Sequence, residues 1–215
     1  MHRTTLRLAV PLALAAALAA TACLPASAAG SPPTAPPAAA AGTAGVVPAV
    51  GGISGWGRMA YGDPRDDVRI SVDAHGLFTR PAAGAPSGPS TAVRSWGGFR
   101  IQHYSPPKDG EPAHFNWGDF RVDCLRVDGT EVSVTGRLVD AGPVWQDYLH
   151  RKPLPARMAL GFHVPGPGGG DAARVGILAP AGDQDMPPCS TPKPDAGLTA
   201  GGYRLSAPGA VPPGA

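Results

Sequence analysis

Phe120-Arg121-Val122-Asp123-Cys124-Leu125-Arg126-Val127-Asp128-Gly129-Thr130-Glu131-Val132-Ser133-Val134-Thr135-Gly136-Arg137-Leu138-Val139 alternates apolar and polar residues on either side of an Asp-Gly pair. Side chains on a strand point to opposite faces in turn, so this period of two marks half-buried strands. Asp-Gly suits a two-residue turn in which both central residues take positive φ. The stretch therefore predicts a β-hairpin. In its first arm Phe120, Val122 and Cys124 fall on the apolar side, before Leu125-Arg126-Val127 reaches the turn. In its second arm Val132, Val134, Gly136 and Leu138 share one face.

The same period recurs in both directions. Asp67-Val68-Arg69-Ile70-Ser71-Val72-Asp73-Ala74 alternates upstream, and Met158, Leu160, Phe162 and Val164 alternate downstream. Weaker strands are expected at Gly55–Tyr61, Phe99–Tyr104, Ala113–Trp117, Arg174–Ala179 and Gly202–Ser206. No helical period of useful length occurs. One short helical turn fits around Val144–His150, before Pro153 and Pro155 forbid continuation. Eight or nine short strands predict an all-β fold, a small antiparallel β-barrel or β-sandwich. Gly57, Gly98, Gly136 and Gly161 lie inside strands, where they weaken a flat sheet but permit coiling and close backbone approach. They favour the barrel, with an interior filled by Val, Ile, Leu, Phe and Met of ordinary size.

The chain begins with an address. Arg3 and Arg7 precede an apolar run from Leu8 to Ala20, which closes on Ala26-Ser27-Ala28. That is the order of a secretory signal peptide, expected over residues 1–28. The run is short of the ~20 apolar residues needed to span a bilayer, and no later stretch approaches that length. Ala20-Thr21-Ala22-Cys23 also places small residues ahead of a cysteine, as a bacterial lipoprotein leader does, though Ala20 stands where that pattern has Leu. Two localisations follow: secretion into the medium, or lipidation of Cys23 with anchoring at the outer face of the cytoplasmic membrane. Residues 29–51 are almost wholly Ala, Pro, Gly, Ser and Thr, a composition that cannot offset its ordering entropy. They are expected to be a disordered linker, and residues 207–215 a similar tail. Residues 52–206 remain as one domain.

Export bears on the cysteines. Cys23 is either removed or acylated, which leaves Cys124 and Cys189 as an even pair in an oxidising compartment. A disulfide between them is expected. Two independent buried thiols are the competing reading. Two cysteines without supporting His or Cys spacing make a poor zinc site.

Charge narrows the partners. The chain carries 18 Lys and Arg against 16 Asp and Glu, and loss of Arg3 and Arg7 with the leader brings the signs into balance. A balanced chain with 16% charged residues has no electrostatic footprint for nucleic acid. Four tryptophans remain of interest, because exposed rings stack on sugar faces whereas buried ones fill cores. Trp56 and Trp117 adjoin glycines in strands and read as core aromatics. Trp145, in a loop-like segment, is the better stacking candidate.

Oxygen-rich loops at Asp63, Asp66 and Asp67, at Asp171, and at Asp183 and Asp185 are either calcium ligands or ordinary turn residues. None matches an EF-hand. His75, His103, His114, His150 and His163 include candidates for a general base. His103 and His114 are expected to meet across the turn Pro106–Gly110. No G-x-S-x-G elbow, phosphate loop or H-E-x-x-H occurs. No catalytic residue, cofactor site or metal site is assigned.

Tyr61-Gly62-Asp63 followed by Asp67–His75 resembles the first strands of small exported actinobacterial proteins labelled repetin. Val122-Asp123-Cys124-Leu125, Val127 with Gly129, Val134-Thr135-Gly136 and the closing Gly202-Tyr203 are similar to the middle and end of that group. The resemblance covers most of residues 52–206 and rests on strands, turns and a cysteine. It implies an exported β domain and brings no catalytic residue. Three functions are thereby expected, in this order. The first is a non-catalytic secreted module binding a small molecule or a cell-wall glycan. The second is an envelope lipoprotein acting on a protein partner. The third is a secreted hydrolase using loop Asp and His.

Overall fold

In the computed structural model, residues 48–79, 88–168, 170–180 and 184–210 are described. The expected signal peptide, Cys23, most of the linker, Asp183 and the last residues of the tail lie outside them. Nine strands form in chain order: β1 Pro48–Met59, β2 Asp67–Thr79, β3 Ser90–Thr91, β4 Arg94–Ser105, β5 His114–Asp128, β6 Glu131–Ala141, β7 Arg157–His163, β8 Arg174–Leu178 and β9 Ala196–Ala210. Between β6 and β7 a 3-10 turn, Pro143–Trp145, runs into the single helical turn α1, Gln146–Leu149.

Eight strands close a ring in the order β5-β4-β2-β1-β9-β8-β7-β6, and β6 pairs back to β5. Every neighbouring pair is antiparallel. Apart from β3, which extends β5 outside the ring, successive strands are neighbours, an up-and-down barrel. Full closure leaves no sheet edge within the ring where its ladders are continuous. The closing β8–β9 ladder is the shortest in the ring, at Arg174↔Gly197 and Val175↔Ala196.

The alternation read from sequence becomes inside and outside. Ile70, Phe99, Phe120, Val134, Leu160 and Phe162 belong to one buried cluster. Phe99 stacks on Phe120 at 4.6 Å, and Phe162 meets Tyr203 edge-on at 4.7 Å. The interior is thus filled by side chains. The hairpin turns one residue later than expected: Asp128 pairs with Glu131, Gly129 and Thr130 are the central residues, and only Gly129 takes positive φ, at 61°.

Three expectations shift. Asp123 is an extra residue: Val122 faces Gly136 while Cys124 faces Thr135. This bulge reverses the phase, so Leu125 joins the core and Cys124 turns to the outer wall, opposite the side the alternation assigned. β1 begins at Pro48, inside the stretch expected to be linker, and β9 runs to Ala210, beyond Ser206. There the ladder between Pro48 and Thr79 and the burial of Ala49 order a composition that cannot order itself.

The outward Cys124 is bonded to Cys189, with Cα atoms 5.3 Å apart. The bond fastens residues 184–195 as a strap across the outside of β5, β6, β7 and β8. The Cys189 amide donates to Thr135 Oγ1 at 3.2 Å, Arg137 Nη2 donates to Asp185 Oδ2 at 2.6 Å, and Arg157 donates to the Met186 carbonyl. At Gly161 a Cβ would lie 2.0 Å from the Pro192 carbonyl oxygen, and at Gly176 one would lie 2.0 Å from that of Lys193. These two glycines let the strap lie flat on the wall, which explains why all of β7 is buried on both faces.

Candidate functional site: a groove on the outer wall

On β1 the inward phase is Ile53, Gly55, Gly57 and Met59, and the outward phase is Ser54, Trp56 and Arg58. Trp56 stands outward and is 51% exposed. Its ladder partners are Ser71 on β2 and Gly202 on β9, one small and one without a side chain, so neither cross-strand partner covers the indole.

The ladder continues from Ser71 to Arg100 on β4 and from Arg100 to Asp119 on β5. One position along, Asp73 faces Gly98. Gly98 leaves a gap in this outward row, and the result is a shallow groove of about 340 Å³. Its sides are Ser71, Asp73, Arg100 and Asp119, and its floor is the backbone around Gly98. Trp56 stands next to Ser71 at the rim. Gly97, at φ 106°, holds the floor close: a Cβ there would sit 2.1 Å from the Asp73 carbonyl oxygen.

The polar groups are preset by their neighbours. Arg100 Nε forms an ion pair with Asp119 Oδ1 at 2.8 Å, and its guanidinium lies 4.7 Å from the centre of the Trp117 ring. Planar charge over an aromatic face holds Arg100 in place. His75 Nε2 lies 2.9 Å from Asp73 Oδ1 and the imidazole stacks on Trp96 at 5.8 Å. Asp73 remains 74% exposed. The groove thus offers carboxylate acceptors, a guanidinium donor, a hydroxyl and one bare indole.

Trp145, the stacking candidate of the sequence, sits elsewhere. Its ring covers Gly118, where a Cβ would lie 2.5 Å away, and meets Phe120 edge-on at 6.1 Å. It is partly buried against the core. Trp56 and Trp145 therefore exchange the roles expected of them. The signal for Trp56 was in the chain: it occupies the phase of Ser54 and Arg58, while the glycines beside it belong to the opposite face.

The acidic loop is consumed by cations. Asp63 accepts from Arg65 at 2.9 Å and from Lys108 at 3.0 Å, and Asp67 pairs with Arg69 at 2.7 Å and Arg58 at 3.0 Å. The Arg65 side chain holds the Asp63 carboxyl well below the usual carboxylate range, and Arg69 lowers that of Asp67. Asp185 is held low by Arg137. Among the described residues no group of three or more His, Cys, Asp or Glu is placed to hold a metal. The oxygens of Asp63, Asp66 and Asp67 face arginine, lysine and histidine. Asp171 is exposed.

His103 and His114 do meet across the β4–β5 turn, with ring centres 6.3 Å apart. His103 Nε2 lies 3.0 Å from Asp66 Oδ2 and 3.1 Å from Ser105 Oγ. A hydrolytic relay needs the carboxylate on one ring nitrogen and the hydroxyl on the other. Here both share Nε2, so the three residues do not form one. His163 Nδ1 is engaged by Glu131 at 2.6 Å.

Compared with family models, with curated proteins and with solved structures, the chain matches none. Among the described residues no helix is long and apolar enough to cross a membrane.

Proposed function

We propose that this chain is an exported, non-catalytic glycan-binding module of the repetin-like group, and that it binds through the outer groove beside Trp56. The observation that carries the reading is a 51% exposed indole flanked by Ser71 and Gly202, next to a groove sided by Asp73, Arg100 and Asp119. An indole face is electron-rich, and the C–H groups on one side of a sugar ring are weakly positive, so the two stack. Sugar hydroxyls are at once donors and acceptors. Carboxylates satisfy them as donors, and a guanidinium satisfies them as acceptors. The disulfide suits an oxidising compartment outside the cytosol, where envelope glycans are found.

The test is co-sedimentation of the mature chain with purified cell-wall sacculi, and retardation in gels containing a neutral soluble glucan. Wild type should be retained by at least one glycan, and Trp56→Ala should weaken retention about tenfold or more. Trp56 is exposed, so its loss should leave the fold intact. Retention unchanged in Trp56→Ala, or absent with every glycan, would overturn the proposal.

A further inference from the structure

At one end of the barrel the β6–β7 connection folds over the core and encloses a second feature, unrelated to the outer groove. A cavity of about 90 Å³ lies among Phe120, Leu138, Trp145, Tyr148 and Met158, closed on its remaining side by Ala179 and Pro180. Its lining is almost wholly carbon. Tyr148 forms one wall and is itself 40% exposed, so a single ring separates the cavity from water there. The surroundings stay apolar on the outside. Val144 is 62% exposed and Leu154 51% on the connection, and Leu178, next to Ala179, is 45% exposed. These exposed aliphatic side chains lie on the two segments that also supply the cavity's lining residues Trp145, Tyr148, Ala179 and Pro180. The connection also carries Arg151 and Lys152 against the single acidic Asp147.

We propose that this cavity receives the end of an alkyl chain, and that its ligand class is a fatty-acid-like amphiphile. Size argues for a chain end. An apolar cavity of ~150 Å³ accepts benzene, and this one is smaller, so it fits a narrow unbranched tip rather than a ring system. Val144 and Leu178 are exposed and adjoin the lining residues Trp145 and Ala179 in sequence, which leaves apolar surface for the rest of the chain. Lys152, exposed on the same connection, matches a carboxylate at its far end.

The experiment titrates the mature chain with straight-chain carboxylates from butanoate to dodecanoate, below their micellar concentrations, by calorimetry. Affinity should rise with length, by up to about fourfold per methylene buried, and then level off once the apolar surface is covered. Ala179→Leu, made at an exposed wall position, should plug the cavity from outside and lower affinity at least tenfold while leaving the circular dichroism unchanged. An independent reading uses a terminally brominated dodecanoate, which quenches nearby indoles. Quenching should persist in Trp56→Phe and fall sharply in Trp145→Phe. Absence of binding at every length, wild-type affinity in Ala179→Leu, or undiminished quenching in Trp145→Phe would overturn the proposal. None of these readings depends on the glycan groove.

Discussion

Replacing both Cys124 and Cys189 by alanine tests what holds the strap. The two residues are 65 apart in sequence. Closing a loop of that length removes enough entropy from the unfolded chain to stabilise the fold by about 4 kcal/mol on the chain-entropy model. Folded-state contacts of the strap do not vanish with the bond. Arg137 still reaches Asp185, Arg157 still reaches the Met186 carbonyl, and Pro192 still lies over Gly161. The loss should therefore be close to the unfolded-state contribution alone. For a domain of roughly 150–250 residues each kcal/mol moves the melting temperature by about 2–4 °C, so a drop of roughly 8–16 °C is expected. Differential scanning calorimetry of the double variant beside wild type measures it. Wild type treated with a reductant should melt where the variant does. Thiol counting on denatured, unreduced wild type should find none free among these two residues. A drop smaller than about 3 °C would mean that the strap is held by its ion pairs and that the loop-entropy reasoning is wrong here.

Two further outcomes are expected. Gly161→Ala should lift Pro192 from the wall and cost about 1–3 kcal/mol in urea unfolding, whereas Gly166→Ala, whose Cβ would meet open space, should change nothing measurable. Tyr203 lies buried with its hydroxyl donating to the Ile70 carbonyl at 3.2 Å, and that burial raises its pKa above the usual tyrosine value. A phenol whose folded pKa is raised contributes stability that is complete below the unfolded pKa near 10 and is lost as pH climbs above it. Tyr203→Phe should lose about 1 kcal/mol at pH 8, from the missing hydrogen bond, and show a shallower decline than wild type between pH 10 and 12. Parallel declines in urea melts across that window would refute the assignment.

Most of the barrel was legible because a closed sheet with a filled interior repeats one rule on every strand. Val132, Val134 and Leu138 had to share a face, and the Asp128-Gly129 pair marked the hairpin, although its turn forms one residue later, at Gly129-Thr130. The ends of the sheet were not legible. Pro48 to Gly51 and Ala207 to Ala210 have the composition of a spacer, and only pairing with strands distant in sequence gives them order. The side of Cys124 was also hidden, since a bulge at Asp123 leaves no local mark: the residues on either side of it alternate correctly, each in its own phase. Nor does a single sequence reveal that residues 184–195 lie against Gly161 and Gly176, because what these glycines accommodate is backbone from elsewhere.

The exchange between Trp56 and Trp145 shows where the reading of a site from sequence goes astray. A tryptophan in a loop is expected to be exposed, and one beside strand glycines is expected to be buried. Both rules treat the strand as a unit, whereas a strand has two faces with different solvents. Gly55 and Gly57 line the interior, where the wall coils around Tyr203 and Leu198. Trp56, between them, must face water. The loop tryptophan has the opposite fate because the barrel end needs a cover. Gly118 leaves room on β5, Trp145 fills it, and the connection folds inward on that ring. The same physics that buries Trp145 leaves the small cavity beside it, so the residue first singled out for sugars lines the cavity proposed for an alkyl chain. The residue read as core stands at the groove proposed for a glycan.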